Sequence, residues 1–203
     1  MAITHDEPAT LHGVLMRVHG IGVLLTGASG VGKSELALEL LTRGHRLVAD
    51  DAPEFTRRGA RIHGRCPPLL SGFLEARSLG ILNVRRLFGP RSVQSRSTLD
   101  LLIALDLPQT RAETGLERLS GRRGSRTVLG VEVPEVFIPI RLGHNLAVLV
   151  EAACRDLILR RRGYHADDDL SRRQLREISR QHRAAAAAAK RIRPRRVAGG
   201  ATS

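Results

Sequence analysis

Apolar positions recur along the chain at two different periods, and each change of period marks an element. In "GVLMRV" (13–18) apolar and other residues alternate, which is the pattern of a strand. "HGIG" (19–22) is a turn and "VLLT" (23–26) a second strand, so the pair predicts a hairpin. From Lys33 the period lengthens. Leu36 with Leu40, and Ala37 with Leu41, form i, i+4 pairs on one side of a helix that Gly44 ends. "HRLVADD" (45–51) returns to strand and finishes on two acids. Further strands are expected at 99–106, 127–133 and 135–140. Leu146, Leu149, Val150, Ala153, Cys154 and Leu157 repeat at helical spacing and predict a helix over 145–162, with Asn145 as its N-cap. Segment 111–126 is polar and charged and reads as a loop. Residues 1–10 read as a flexible leader. From Ser171, basic residues and an alanine run read as a helix fraying into a largely disordered tail. Between them, residues 11–170 mix strands and helices as an α/β domain does, and the hairpin gives its central strand an antiparallel neighbour.

A length of 203 residues and 42% apolar content fit one domain with a sizeable core. No apolar run approaches the roughly 18 residues of a membrane span. The start "MAITHDEPAT" lacks the basic-then-apolar order of a signal peptide. Cys66 and Cys154 are isolated and read as buried, reduced thiols of a cytoplasmic protein. The net charge of +13 invites a nucleic-acid reading, but +9 of it lies in residues 171–203 and only +4 in the rest. Aromatic residues, the stacking platforms of single-strand binders, make up 2%. No specific nucleic-acid partner is expected. Lysine usage says more. Of 33 basic residues only Lys33 and Lys190 are lysines. A phosphate loop is one place where a compact ammonium is not replaced by arginine.

Gly27, Ala28, Ser29, Gly30, Val31, Gly32, Lys33 and Ser34 spell "GASGVGKS", a match to G-x-x-x-x-G-K-[ST] between a strand and a helix. The glycines let the backbone close around phosphate oxygens, and the helix N-terminus favours an anion. Lys33 would reach the β- and γ-phosphates and Ser34 would bind Mg²⁺. Asp50 and Asp51 end the next strand, the end that faces the ligand crevice in α/β sheets. Adjacent strand residues point to opposite sides. One acid can therefore help hold Mg²⁺ through water while the other accepts a proton from an attacking hydroxyl. Read alone, "LEARSLGILNV" (74–84) is an amphipathic segment and His12 a surface histidine.

Taken in order, "LHGVLMRVHGIGVLLTGASGVGKSELALELLTRGHRLVADD" (11–51), "LEARSLGILNV" (74–84), "LFG" (87–89) and "GHNLAVLVEAA" (143–153) resemble the catalytic domain of the bacterial HPr kinase/phosphorylase family, over about residues 11–163. The resemblance implies an α/β P-loop kinase core of the phosphoenolpyruvate carboxykinase-like type, with a mixed sheet flanked by helices. It implies ATP-dependent phosphorylation of a serine on HPr, the phosphocarrier of the sugar phosphotransferase system, or on an HPr-like carrier. The reverse reaction takes inorganic phosphate and releases pyrophosphate. Family members are typically hexamers. By position, the resemblance assigns His12, Lys33, Asp51 and His144 to catalysis, Asp51 being the proton acceptor and donor. It assigns Ser34 and Glu75 to the metal.

Three features depart from the family. The family usually has an additional N-terminal domain, for which this chain is too short. Ser78 replaces the glycine of E-x-R-G. His144 replaces the arginine of G-R-N, so a partly charged imidazole stands where a permanent, forked cation is usual. Rival readings are a P-loop kinase of a small metabolite, for which 111–126 could be a lid, and a regulatory GTPase. The second lacks N-K-x-D, since there is no lysine outside positions 33 and 190.

Overall fold

The computed structural model describes residues 8–106, 121–141 and 143–191. The chain divides into two units, Met1–Arg162 and Gly163–Ser203. The first begins with β1 (Ala9–Thr10), β2 (Val14–Val18), β3 (Ile21–Gly27), α1 (Lys33–Thr42) and β4 (Arg46–Ala49). Next come β5 (Glu54–Arg58), β6 (Arg61–Arg65), β7 (Phe73–Ala76), β8 (Gly80–Asn83), α2 (Val84–Phe88) and β9 (Arg96–Thr98). It ends with β10 (Leu101–Asp106), β11 (Arg123–Val128), β12 (Val131–Pro139) and α3 (Leu146–Arg161).

The central sheet has the order β11-β12-β10-β3-β2-β4. Strands β12, β10 and β3 run parallel, with Ile103 opposite Leu25 and Val136. Strand β2 is antiparallel to both β3 and β4, as the hairpin predicts. The sheet is therefore mixed. "VLL" (23–25) and "LLIAL" (101–105) are apolar without interruption because both faces of these strands are covered. Alternate side chains go to different layers. Val23, Leu25, Ile103 and Leu105 pack with Leu36 and Leu40 of α1 and Val150 and Cys154 of α3. Leu15, Leu24 and Leu102 pack with Phe55 and Ile62 of a second, four-stranded sheet, β1-β5-β6-β9. Helices thus cover one face and a small sheet the other. Each fully buried leucine contributes about 1.5–3 kcal/mol. Where the two sheets meet, a Cβ on Gly64 would lie 2.5 Å from Leu15 Cδ2 and 2.6 Å from Phe55 Cε1, so only glycine permits the approach.

Several boundaries differ from the sequence expectations. The strand expected at 127–133 instead contains the turn at Leu129 and Gly130 (φ 47° and 72°) between β11 and β12, and the strand expected at 135–140 is the continuation of β12. Two positive φ values make the tight hairpin turn usually written Asn-Gly. Leucine seldom takes such a φ, which hides the turn inside an apolar run. Residues 123–126, expected in a loop, belong to the exposed edge strand β11; residues 111–120 lie outside the described residues. Segment 74–84 is a β7–β8 hairpin. Residues 9 and 10 of the expected leader pair with β5, and residues 1–7 lie outside the described residues.

The second unit holds α4 (Ala166–Arg191), so residues 171–191, expected as a helix fraying into a largely disordered tail, are helical throughout. Asp167, Asp168 and Asp169 stand in its first turn, where the helix dipole favours acids, and Arg173 pairs with Asp169 one turn on at 3.0 Å. Residues 192–203 lie outside the described residues.

Candidate active site

The phosphate loop joins β3 to α1 at the C-terminal edge of the central sheet. Gly32 caps α1 at φ 96°, and no side chain bonds the first turn of the helix. Its leading N–H groups are left for an anion. Lys33 is only 8% exposed. Its Nζ donates to the carbonyls of Gly27 and Ala28, both at 3.0 Å. The amine that would meet a phosphate thus rests on the loop that would hold it. Val31 N donates to Ala28 O at 3.3 Å, and the Val31 side chain packs on the core.

The opposite wall comes from β7 and from the segments flanking β4 and β2. Strand β7 alternates, with Leu74 and Ala76 buried and Glu75 exposed. Arg77, in the turn that follows β7, lines the same cavity wall as Glu75. Arg77 Nη2 donates to Ser29 Oγ at 2.9 Å, and a Cβ on Gly30 (φ 80°) would lie 2.4 Å from Arg77 Nη1. Glycine at position 30 lets the guanidinium cross the loop.

Asp50 and Asp51 diverge, as adjacent residues at a strand end do. Asp50 Oδ2 accepts the backbone N–H of Glu75 at 2.8 Å, tying the end of β4 to β7. Burial pushes the Asp50 carboxyl above the usual aspartate range; the Glu75 N–H opposes this and the neighbouring Asp51 charge adds to it. Asp51 turns the other way on a left-handed backbone, φ 62°. Its Oδ1 lies 2.8 Å from Nδ1 of His12. The turn is held by Ala52 N donating to Asp50 O (2.8 Å) and Gly13 N donating to Asp51 O (3.3 Å).

These walls enclose an open cavity of about 260 Å³. Of the residues singled out in the sequence, Ser29, Gly30, Gly32, Lys33, Ser34, His12, Asp50, Asp51 and Glu75 line it. Gly27, Ala28 and Val31 shape the loop behind it. His144 is not brought to the cavity; it is exposed in the turn ahead of α3, its N–H donating to Arg141 O at 3.1 Å. Arg77 lines the cavity and was not assigned a role from sequence, although the Glu-x-Arg spacing at a strand end was the available signal.

The donor set fits a magnesium nucleotide. A serine hydroxyl and carboxylates facing one space are the hard oxygen ligands that Mg²⁺ takes. The uncapped helix start, Lys33 and Arg77 supply the positive side for phosphates.

The family model for the HPr Serine kinase C-terminal domain matches residues 5–174. Relatives named HPr kinase/phosphorylase, from Xanthomonas campestris pv. campestris (strain B100) and Xanthomonas oryzae pv. oryzae (strain PXO99A), are each 55% identical over 165 residues. Those residues are 80% of this chain and 52% of each relative, so the chain spans about half the length of the curated relatives it matches. The solved structure of the Hpr(Ser) kinase/phosphatase from Coxiella burnetii superposes with a TM-score of 0.72 at 32% identity, covering 80% of this chain and 98% of that one. With the phosphate loop, the paired acids and the Glu-x-Arg hairpin assembled around one cavity, the chain belongs to the HPr serine kinase C-terminal domain family.

Proposed function

We propose that this chain is an ATP-dependent protein kinase that phosphorylates a serine of the phosphocarrier HPr or of an HPr-like carrier. It runs the reverse reaction with inorganic phosphate, releasing pyrophosphate, and works in the cytoplasm as a hexamer. The observation that carries the reading is the Asp51–His12 pair facing the phosphate loop across one open cavity. A base and a phosphate cradle in one space are what transfer to a hydroxyl requires.

Ser34 and Glu75 would hold Mg²⁺, which neutralises phosphate charge when bound. Asp50 keeps Glu75 in place through the Glu75 N–H. Lys33 exchanges its bonds to the Gly27 and Ala28 carbonyls for phosphate oxygens. Asp51 takes the proton of the serine hydroxyl as Oγ bonds to the γ-phosphorus and the bond to the β–γ bridging oxygen breaks, leaving ADP. His12 orients that carboxylate. In reverse, a phosphate oxygen attacks the seryl phosphorus, the P–Oγ bond breaks, Asp51 returns the proton to Oγ, and pyrophosphate leaves. A protein acceptor suits the surroundings. Leu79 (68% exposed) and Ile81 (75%) stand on the hairpin that carries Glu75, an apolar surface a partner would cover. No helix among the described residues is long and apolar enough to cross a membrane.

Mass spectrometry of purified HPr-type carriers after incubation with the chain and MgATP tests the proposal. One phosphoserine per carrier is expected; unmodified carrier alongside a phosphorylated metabolite from a parallel panel overturns it. His144 lies outside the cavity, and where the family has a permanently charged arginine it offers a partly charged imidazole; if position 144 meets phosphate during transfer, His144→Arg is expected to raise phosphorolysis several-fold and forward transfer less. Equal rates in both directions would remove His144 from the reaction.

A further inference from the structure

The outer face of the four-stranded sheet carries a cluster that phosphoryl transfer does not use. Strand register decides its composition. Phe55, Ile62 and Ser97 point into the core, so their neighbours point out. On that outer face Arg58 stands directly opposite Arg61, and Arg65 directly opposite Arg96, with His63 between the two pairs. Like charges directly opposite on antiparallel strands repel and destabilise a sheet. Of these four arginines only Arg65 has a carboxylate partner, Glu54, which accepts from its Nε at 2.9 Å. Among the described residues, the side chains of Arg58, Arg61, His63 and Arg96 make no hydrogen bond or ion pair. Arg58, His63, Arg65 and Arg96 surround a hollow of about 190 Å³, with the hydroxyl-bearing Thr56 at its wall.

We propose that this hollow is a second anion site, separate from the phosphate loop, and that its ligand is a compact phosphate: orthophosphate or the phosphate group of a small monoester. Guanidinium groups fork onto phosphate oxygens, and a dianion between Arg65 and Arg96 turns the cross-strand repulsion into a shared attraction. The hollow is small, confined to one sheet face and free of phenylalanine, tyrosine and tryptophan side chains. Those features fit a compact anion better than a nucleic-acid strand, which asks for an extended basic track and stacking platforms. The inference rests on the sheet alone and holds whatever the catalytic cavity does.

Calorimetric titration of the full chain with orthophosphate, and separately with glycerol 3-phosphate, tests it, each with and without a saturating non-hydrolysable ATP analogue and Mg²⁺. A saturable phosphate site that survives the analogue is expected. Arg58→Gln with Arg96→Gln should weaken that site about tenfold or more while leaving analogue affinity unchanged. Binding of orthophosphate alone assigns the site to the free ion; binding of both assigns it to phosphate esters as well. Loss of all phosphate binding on adding the analogue overturns the proposal, as does unchanged affinity in the double variant. A melting series covers the case of a poorly folding variant. At matched ionic strength, phosphate should raise the melting temperature of the analogue-bound wild type more than chloride does, and Arg96→Gln should abolish that difference; equal shifts from both salts in the wild type also overturn the site.

Discussion

Two histidine–carboxylate pairs in this molecule have the same separation and opposite surroundings. His12 Nδ1 and Asp51 Oδ1 are 2.8 Å apart with side chains 58% and 72% exposed, on the cavity wall. His45 Nε2 and Glu151 Oε1 are also 2.8 Å apart, but 8% and 19% exposed, where the turn after α1 meets α3. The second pair is braced. Arg43 Nη1 reaches Glu151 Oε2 at 3.4 Å, and the His19 ring meets His45 edge-on with centroids 4.7 Å apart. The first pair has an open side, which a substrate hydroxyl can occupy. The equal distances leave a clasp and a candidate base alike; solvent access and the number of further partners set the two pairs apart. A surface pair adds little stability, whereas a buried one is costly to break.

Asp51→Asn tests the catalytic half most sharply. Transfer should fall by about 10²–10⁴-fold, with nucleotide affinity retained and stability changed by no more than about 0.5 kcal/mol. Near wild-type transfer in a carrier phosphorylation assay breaks the comparison. His45→Ala should do the reverse, costing about 2–3 kcal/mol in urea unfolding with nucleotide affinity unchanged. A third variant sharpens the clasp through pH. The His45 hydrogen bond, ahead of the Arg43 charge, holds the Glu151 carboxyl below its ordinary value of 4.5. Ionised Glu151 therefore contributes stability above that value and loses it as pH falls through the lower folded-state value. Glu151→Gln should cost about 1 kcal/mol at pH 7, a deficit that closes in acid; a gap constant with pH, measured by thermal melts, counts against the clasp. The smallest effect belongs to Asp50. Its carboxyl is raised by burial, so its ionised form works against the fold at neutral pH. Asp50→Asn should raise the melting temperature slightly above the raised value, and the gain should vanish below the usual aspartate value near about 4.

The phosphate loop was legible because its requirements are local: glycines for close backbone approach, one lysine, and a helix with i, i+4 leucines. The hairpin before it and the acids after it were legible for the same reason. The four-stranded sheet was not. Its strands carry Arg57, Arg58, Arg61, Arg65 and Arg96 and bury only Phe55 and Ile62 among their larger side chains, so no alternation stands out. Glu75 and His12 acquire a role in the fold only where distant segments meet, and position in the chain states no such meeting; the family resemblance supplied it. Arg77 needed the strand assignment of 73–76 before its shared cavity wall with Glu75 could be seen.

Asp51 holds its carboxylate on a backbone that glycine takes freely and asparagine tolerates. Selection for folding alone would draw this position toward either residue, and under the proposed mechanism both would erase the base. On that mechanism position 51 keeps a record of use: an acid retained there at the cost of backbone strain marks working machinery, and glycine or asparagine a scaffold.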